Sequence, residues 1–218
     1  RRNVRKGRDF SVSMTPEEHA RRLGVAEHRL TRVLGRVEGL REVCTVVVRH
    51  VARFVGARFA ALAVPTEEGQ LAINATHGYP IALVRMLRIA PGMGVIGSVY
   101  VKGAPLLVED ITTVPGLQRR PRYRTNSFVA VPISAGREVL GVVCVADRLD
   151  DQPFSREDLS SLRALTAPVA LAMSRELANR NAENFARAAV TDPLSGLFNR
   201  PYFHERLEEE LDPARRRN

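Results

Sequence analysis

The stretch Ser127 to Asp147, SFVAVPISAGREVLGVVCVAD, constrains the fold more than any other part of the chain. It reads as a β-hairpin: one apolar strand, a polar turn at Ala135-Gly136-Arg137-Glu138, then a second and more apolar strand. Gly136 supplies the backbone freedom of a tight turn, and the flanking Val, Ile and Phe suit a pleated surface. Val139, Val142, Val143, Cys144 and Val145 form a nearly continuous apolar run, which predicts a strand covered on both faces or close to it. Such a strand needs layers above and below it.

The rest of the chain supplies them. Residues 1–13 carry basic and small polar residues without apolar periodicity and read as a mobile tail. Thr15-Pro16-Glu17-Glu18 is a helix start, with Thr15 as N-cap, Pro at the first helical position and Glu18 placed for a capping box. A second helical stretch is expected after Gly24. Leu40, Cys44, Val47, Val51 and Val55 then mark the buried stripe of an amphipathic helix that ends near Gly56. Strands are predicted over 58–64 and 71–76 around a turn at Glu67-Glu68-Gly69-Gln70. A short helix is predicted over 81–87, another over 95–101 stopped by Gly103, and a short strand over 106–108, with a long loop over 109–126. Ser155 and Asp158 announce a long helix whose buried face runs Leu159, Leu162, Leu165, Val169, Met173 and Leu177, with Pro168 expected to interrupt it. This order gives an α+β fold: an antiparallel sheet flanked by helices, with long N- and C-terminal helices.

At 218 residues and 44% hydrophobic the chain buries a sizeable core. It contains no apolar run of membrane-spanning length. Cys44 and Cys144 both lie in apolar runs and read as packed thiols of a reducing cytoplasm. No paired His or third Cys stands near either, which argues against a metal site. The net charge is +9, yet residues 1–50 hold twelve Lys/Arg against six acids, so about +6 of it belongs to the N-terminal part. The remainder is not an evident polyanion binder. The sequence starts at Arg1 rather than Met, so a natural start upstream is expected.

Three pieces, Gly92 to Ile111, the hairpin itself and Pro153 to Met173, resemble a GAF domain in their order and spacing. The resemblance covers roughly Leu40 to Leu177. It implies a small-molecule or redox sensor module that pairs through its terminal helices. A second resemblance lies in Val190 to Leu211, where Asp192, Leu194, Gly196, Leu197, Asn199 and Arg200 match the opening motif of a GGDEF diguanylate cyclase domain and Ser195 stands for its Thr. Together they divide the chain into a basic tail and helical lead-in (1–36), a GAF domain (37–178), a connecting helix (179–190) and the start of a GGDEF domain (191–218). Such a cyclase joins two GTP with Mg, and both would bind in a part beyond residue 218, so no catalytic residue, metal ligand or cofactor is expected in this chain. The parent is then expected to be a cytoplasmic homodimer, with a small-molecule ligand on the GAF domain.

The candidate ligand group is Thr112, Arg122, Tyr123, Arg124 and Ser127. Arginines of the 109–126 loop are placed to close over an anion, although loop arginines are commonly just solvated. GAF domains that bind cyclic nucleotides often carry an Asn-Lys…Phe…Asp-Glu signature. Here those positions read Asp147, Arg148, Phe154, Asp158 and Leu159, which points away from that ligand. Asp192 is expected to cap the last helix. Two rival readings remain. A helix-turn-helix around Ala20, Gly24, Val25, Leu30 and Val33, with nearby arginines for phosphates, would make a transcription regulator, though nucleic-acid binding is the weaker expectation. A GAF domain without ligand would serve as a dimerisation scaffold.

Overall fold

The computed structural model describes residues 15–114, 123–192, 195–204 and 206–207. The predicted hairpin is its centre: β5 (Phe128–Ala135) pairs antiparallel with β6 (Glu138–Arg148), and Gly136 turns the chain at φ +61°. β1 (Ala57–Pro65) covers the other edge of β6, followed outwards by β2 (Leu71–His77) and β3 (Arg88–Ile89), while β4 (Leu106–Val108) lies outside β5. The sheet order is β3-β2-β1-β6-β5-β4, with every pair antiparallel.

Alternation on the central strands decides what each face holds. Leu62 and Val64 of β1, Val131 and Ile133 of β5, and Val143 and Val145 of β6 enter one core cluster. Against them pack α2 (Leu40–Val55) and α4 (Arg156–Val190). Leu162, Leu165, Val169 and Met173 of α4 are almost fully buried there; each contributes about 1.5–3 kcal/mol relative to exposure. The opposite face carries small residues, Ala61, Ala63, Ala130 and Ala146, beneath α3 (Gly94–Lys102). β6 is thus covered on both sides, as its apolar run requires.

α1 (Pro16–Leu34) starts with the expected capping box between Thr15 and Glu18. It then departs from expectation, because it runs as one helix through Gly24. The turn of a helix-turn-helix is therefore absent from these residues. A mid-helix Gly costs about 1 kcal/mol against Ala; the capping box and the burial of Leu30 and Leu34 on the core offset it. α1 lies on α2 and α4, held by polar clamps. His19 Nε2 is 2.7 Å from Ser161 Oγ and its Nδ1 is 3.0 Å from Glu157 Oε1, and His50 Nε2 is 3.1 Å from the Ala26 carbonyl. Burial, and the positive charges of Arg29 and Arg53, hold the His50 pKa below its ordinary value.

Two further expectations are corrected. Only Ile81–Leu83 forms a turn of 3-10 helix where 81–87 was expected to be helical, and a further turn, closed by the Leu87 amide on the Val84 carbonyl, leads into the two residues of β3. Pro168 does not end α4, which is continuous for 35 residues and capped by Ser155 and Asp158. A proline inside a helix costs about 3 kcal/mol; burial of Leu165, Val169 and Met173 around it outweighs that.

Candidate ligand cavity and its link to the terminal helix

Between the small-residue face of the sheet and α3 lies a cavity of about 300 Å³, open to solvent on one side. Its floor is formed by Ala61, Cys144 and Ala146, where longer side chains would fill the space. α3 can approach because residue 97 is glycine: a Cβ there would meet the Ala90 carbonyl oxygen at 2.5 Å. Met93, Gly94 and Val95 bring the first turn of α3 to the rim, and this turn has no side-chain cap. One wall is a row of rings from three separate segments. Phe59 of β1 stands 6.0 Å from Tyr79 and 5.3 Å from Tyr123, centroid to centroid. These are ordinary aromatic packing distances. None of the described lining residues carries a formal charge.

The rim is set by Asp147, which is 1% exposed and adopts φ +63°. Its Oδ1 accepts the backbone N–H groups of Arg124 (2.9 Å) and Thr125 (2.7 Å), so the carboxylate fixes the segment that delivers Tyr123. Arg58 Nε lies 3.5 Å from the other oxygen, a Coulombic contact rather than a well-aligned hydrogen bond. The same guanidinium donates to the Leu149 carbonyl and to Asp151.

Of the candidate ligand group, only Tyr123 is found in the described cavity lining. Arg122 lies outside the described residues. Arg124 takes part through its backbone amide. Thr112 donates its amide and hydroxyl to Asp110, turning the backbone before the long loop, and those two bonds hold the Asp110 carboxyl below its usual range. Ser127 is 2% exposed and joins two elements: its hydroxyl donates to the Val108 carbonyl and accepts the Phe154 amide. It is a buried strut between β4 and the approach to α4, because a hydroxyl on this strand end meets both an orphan carbonyl and an orphan amide.

Phe59, Tyr79, Met93 and Cys144 were not anticipated as cavity residues. The signal was present in part, since Cys144 and Ala146 alternate with Val143 and Val145 and so face away from the helices. Cys144 is half-buried at the cavity floor, whereas Cys44 is sealed in the helix-side core, where burial pushes its thiol pKa up to about 12.

Arg148 follows Asp147 and serves the other side of the sheet. It pairs with Asp150 at 2.6 Å and Asp158 at 2.8 Å, and its guanidinium sits 6.0 Å from the Phe154 ring. Asp158 is also the capping-box acid of α4, so the strand exit is bound directly to the start of that helix. Further along α4, Glu176 accepts the Gly39 amide at 2.6 Å while Arg175 donates to the Val37 carbonyl at 2.8 Å, fixing the α1–α2 turn. The Gly39 amide, followed by Arg175, holds the Glu176 carboxyl below its ordinary value.

At the far end of α4 the Asp192 motif folds onto the helix. The Asn199 amide donates to the Val190 carbonyl and its side chain donates to the Ala189 carbonyl at 2.7 Å, while Thr191 bridges to Phe198. Asp192 was expected to cap the following helix. Instead it accepts the Ser195 amide and hydroxyl inside the connecting turn, and Asn199 provides the cap by accepting the Tyr202 amide. Helix begins only at residue 200, too far along for Asp192 to reach. Gly196 occupies φ +69° in that turn, Leu197 and Arg200 are exposed, and Leu194 lies outside the described residues.

One constellation imitates a hydrolase: Ser161, His19 and Glu157 stand in series. Ser161 is 1% exposed, its hydroxyl donates to the Glu157 carbonyl, and it lines none of the described cavities. It is a clamp between α1 and α4.

A family model of the GAF domain matches residues 39–173. The chain belongs to the GAF family. The GAF domain of a phosphoenolpyruvate-protein phosphotransferase from Coxiella burnetii is similar in fold, with a TM-score of 0.64, 22% identity, and 76% of this chain and 98% of that chain covered. In sequence, the chain is 27% identical over 148 residues to a Nif-specific regulatory protein of Herbaspirillum seropedicae, covering 65% of this chain and 27% of that protein. It is 29% identical over 139 residues to a Nif-specific regulatory protein of Rhizobium etli, covering 60% and 24%. The GAF chain thus spans about a quarter of the length of the curated relatives it matches. The family match ends before the Asp192 motif. Among the described residues no helix is long and apolar enough to cross a membrane.

Proposed function

We propose that this chain is the sensory part of a diguanylate cyclase, in which ligand in the GAF cavity alters the packing of α4 and so the placement of the output domain. The observation that carries the reading is the junction at the end of α4. There the residues matching a GGDEF opening, Asp192, Gly196 and Asn199, make a compact hydrogen-bonded turn on the last carbonyls of the helix. A helix displaced at its start by Arg148 and Asp158 would carry that turn with it. Catalysis, with GTP and Mg, would reside entirely outside this chain.

The reading includes a homodimer through the terminal helices. In support, Leu171 (75% exposed), Ala178 and Phe185 (77% exposed) recur every seven residues on the outer face of α4. They occupy one heptad position, the spacing at which half of a coiled-coil seam recurs. The test is cyclic di-GMP synthesis from GTP by the full-length parent, with and without Asn199→Ala. Activity in the parent that becomes unresponsive to ligand in the variant is expected. A parent that makes no cyclic di-GMP overturns the cyclase reading.

A second reading is favoured by the Nif-specific relatives: the same GAF domain governing a transcription regulator. α1 is one helix and offers no helix-turn-helix, so DNA contact in that case would not use such a motif over residues 16–34. Ligand-dependent promoter binding by the parent would select it.

A further inference from the structure

The chemistry of the cavity says what kind of molecule fits it. This rests on reading the cavity as the sensory site. We propose that the GAF cavity takes an uncharged, flat, largely apolar molecule of about two fused rings, rather than a cyclic nucleotide or another anion.

Size sets the first limit. A cavity of about 150 Å³ lined by apolar side chains accommodates benzene, so one of about 300 Å³ matches a body of roughly twice that size. Shape sets the second. The Phe59, Tyr79 and Tyr123 rings form one wall, and Ala61 and Ala146 on the floor leave room beside it. A flat ligand lies against such a wall with offset or edge contacts.

Charge sets the third. The described lining holds two phenols, one thiol and the backbone of the first α3 turn, but no arginine, lysine, histidine or carboxylate. Among the described residues, the charged pair Asp147 with Arg58 beside the rim is largely engaged: one carboxylate oxygen takes two amides, the guanidinium takes Asp151 and a carbonyl, and the remaining Oδ2 and Nε face each other at 3.5 Å. The uncapped backbone amides of the first α3 turn can orient a hydroxyl or carbonyl group. Among the described residues the lining provides no counter-ion, and an ion moved into an apolar site without one loses most of its hydration without return.

The experiment uses the full chain and three probes with one body: 2-naphthol, 2-naphthoate and 2-naphthylmethylammonium, with cyclic AMP as a fourth. Binding is followed by calorimetry and by the rate at which iodoacetamide alkylates Cys144. Cys44 stays silent in that assay because it is fully buried with its thiol pKa pushed up to about 12. Saturable 2-naphthol binding is expected, with alkylation slowed at least fivefold and at least tenfold weaker binding of both charged analogues. Ala61→Leu, which fills the floor, should abolish 2-naphthol binding; Ala146→Val provides the same test should the first variant unfold. Equal or tighter binding of 2-naphthoate or cyclic AMP overturns the proposal while leaving a sensory cavity in place. Failure of every probe both to bind and to protect Cys144 also overturns it. Binding of 2-naphthol without any effect on the output of the parent upholds the ligand class and refutes the coupling instead.

Discussion

Asp147 offers the sharpest test of how the cavity rim is held. Replacing it with Ala removes the acceptor for the Arg124 and Thr125 amides, leaves Arg58 beside an apolar methyl, and puts a β-carbon residue without a polar side chain at φ +63°. A hydrogen bond to a charged group contributes about 1.5–3 kcal/mol, so the two amides set a ceiling near 6 kcal/mol. Relaxation of the 123–126 segment into water recovers part of it, while the left-handed backbone adds roughly 1 kcal/mol. The expected loss for Asp147→Ala is about 3–4 kcal/mol. Asp147→Asn keeps an oxygen for both amides and tolerates the backbone, but it turns two charge-assisted bonds into neutral ones and sets its NH2 against the Arg58 Nε–H, so it should cost about 2 kcal/mol, less than alanine. Urea unfolding of the two variants beside the natural chain gives both values, and amide exchange at Arg124 and Thr125 locates the damage. A loss below about 1 kcal/mol for the alanine variant, or equal losses for both, would refute the account.

Two glycines should respond in opposite directions. Gly97→Ala drives a Cβ to 2.5 Å from the Ala90 carbonyl and 3.1 Å from the Gly92 nitrogen, backbone atoms that cannot swing aside; thermal unfolding should report a loss of about 1–3 kcal/mol. Gly24→Ala, with nothing within 4 Å of the new atom, should stabilise α1 by up to about 1 kcal/mol. Acid should release the Glu176 clamp. Its folded-state pKa lies below the ordinary 4.5, so the stabilisation is complete above that pH and is lost as pH falls through the lower folded value. The Gly39 amide resonance should follow that titration and be flat in Glu176→Gln.

The sheet and its helices were legible because the pattern of each element agreed with its place. The stripe from Leu40 to Val55, the hairpin around Gly136 and both capping boxes each need only local residues to be read. The failures share a cause as well. Gly24, Pro168 and the two-residue β3 are positions where local preference is outweighed by partners distant in sequence: α1 is held by Ser161, α4 by the sheet, and β3 by β2. The cavity was illegible for a related reason. Its rings come from residues 59, 79 and 123, and no spacing in the sequence connects them. Ser127 looked like a cavity hydroxyl only until the structure placed a carbonyl and an amide on it.

The exit of β6 gives the shortest physical route from cavity to output helix. Asp147 and Arg148 are neighbours, yet the first holds the rim and the second holds Asp158 at the cap of α4. A ligand that moves Tyr123 pulls on the amides of Arg124 and Thr125, and through Asp147 on a backbone that cannot shift without moving Arg148. Proximity alone does not establish coupling, so two measurements are required. Arg148→Ala should keep 2-naphthol affinity within about threefold, since the residue is not among the described lining residues, while abolishing the ligand-induced change in amide exchange in the first turns of α4. In a double-mutant cycle, Asp147→Asn and Arg148→Ala should deviate from additivity by more than about 0.5 kcal/mol. Additive stabilities together with an unchanged response in α4 would mean that the signal travels through the sheet face instead, where Cys144 under the cavity alternates with Val143 and Val145 against the helices.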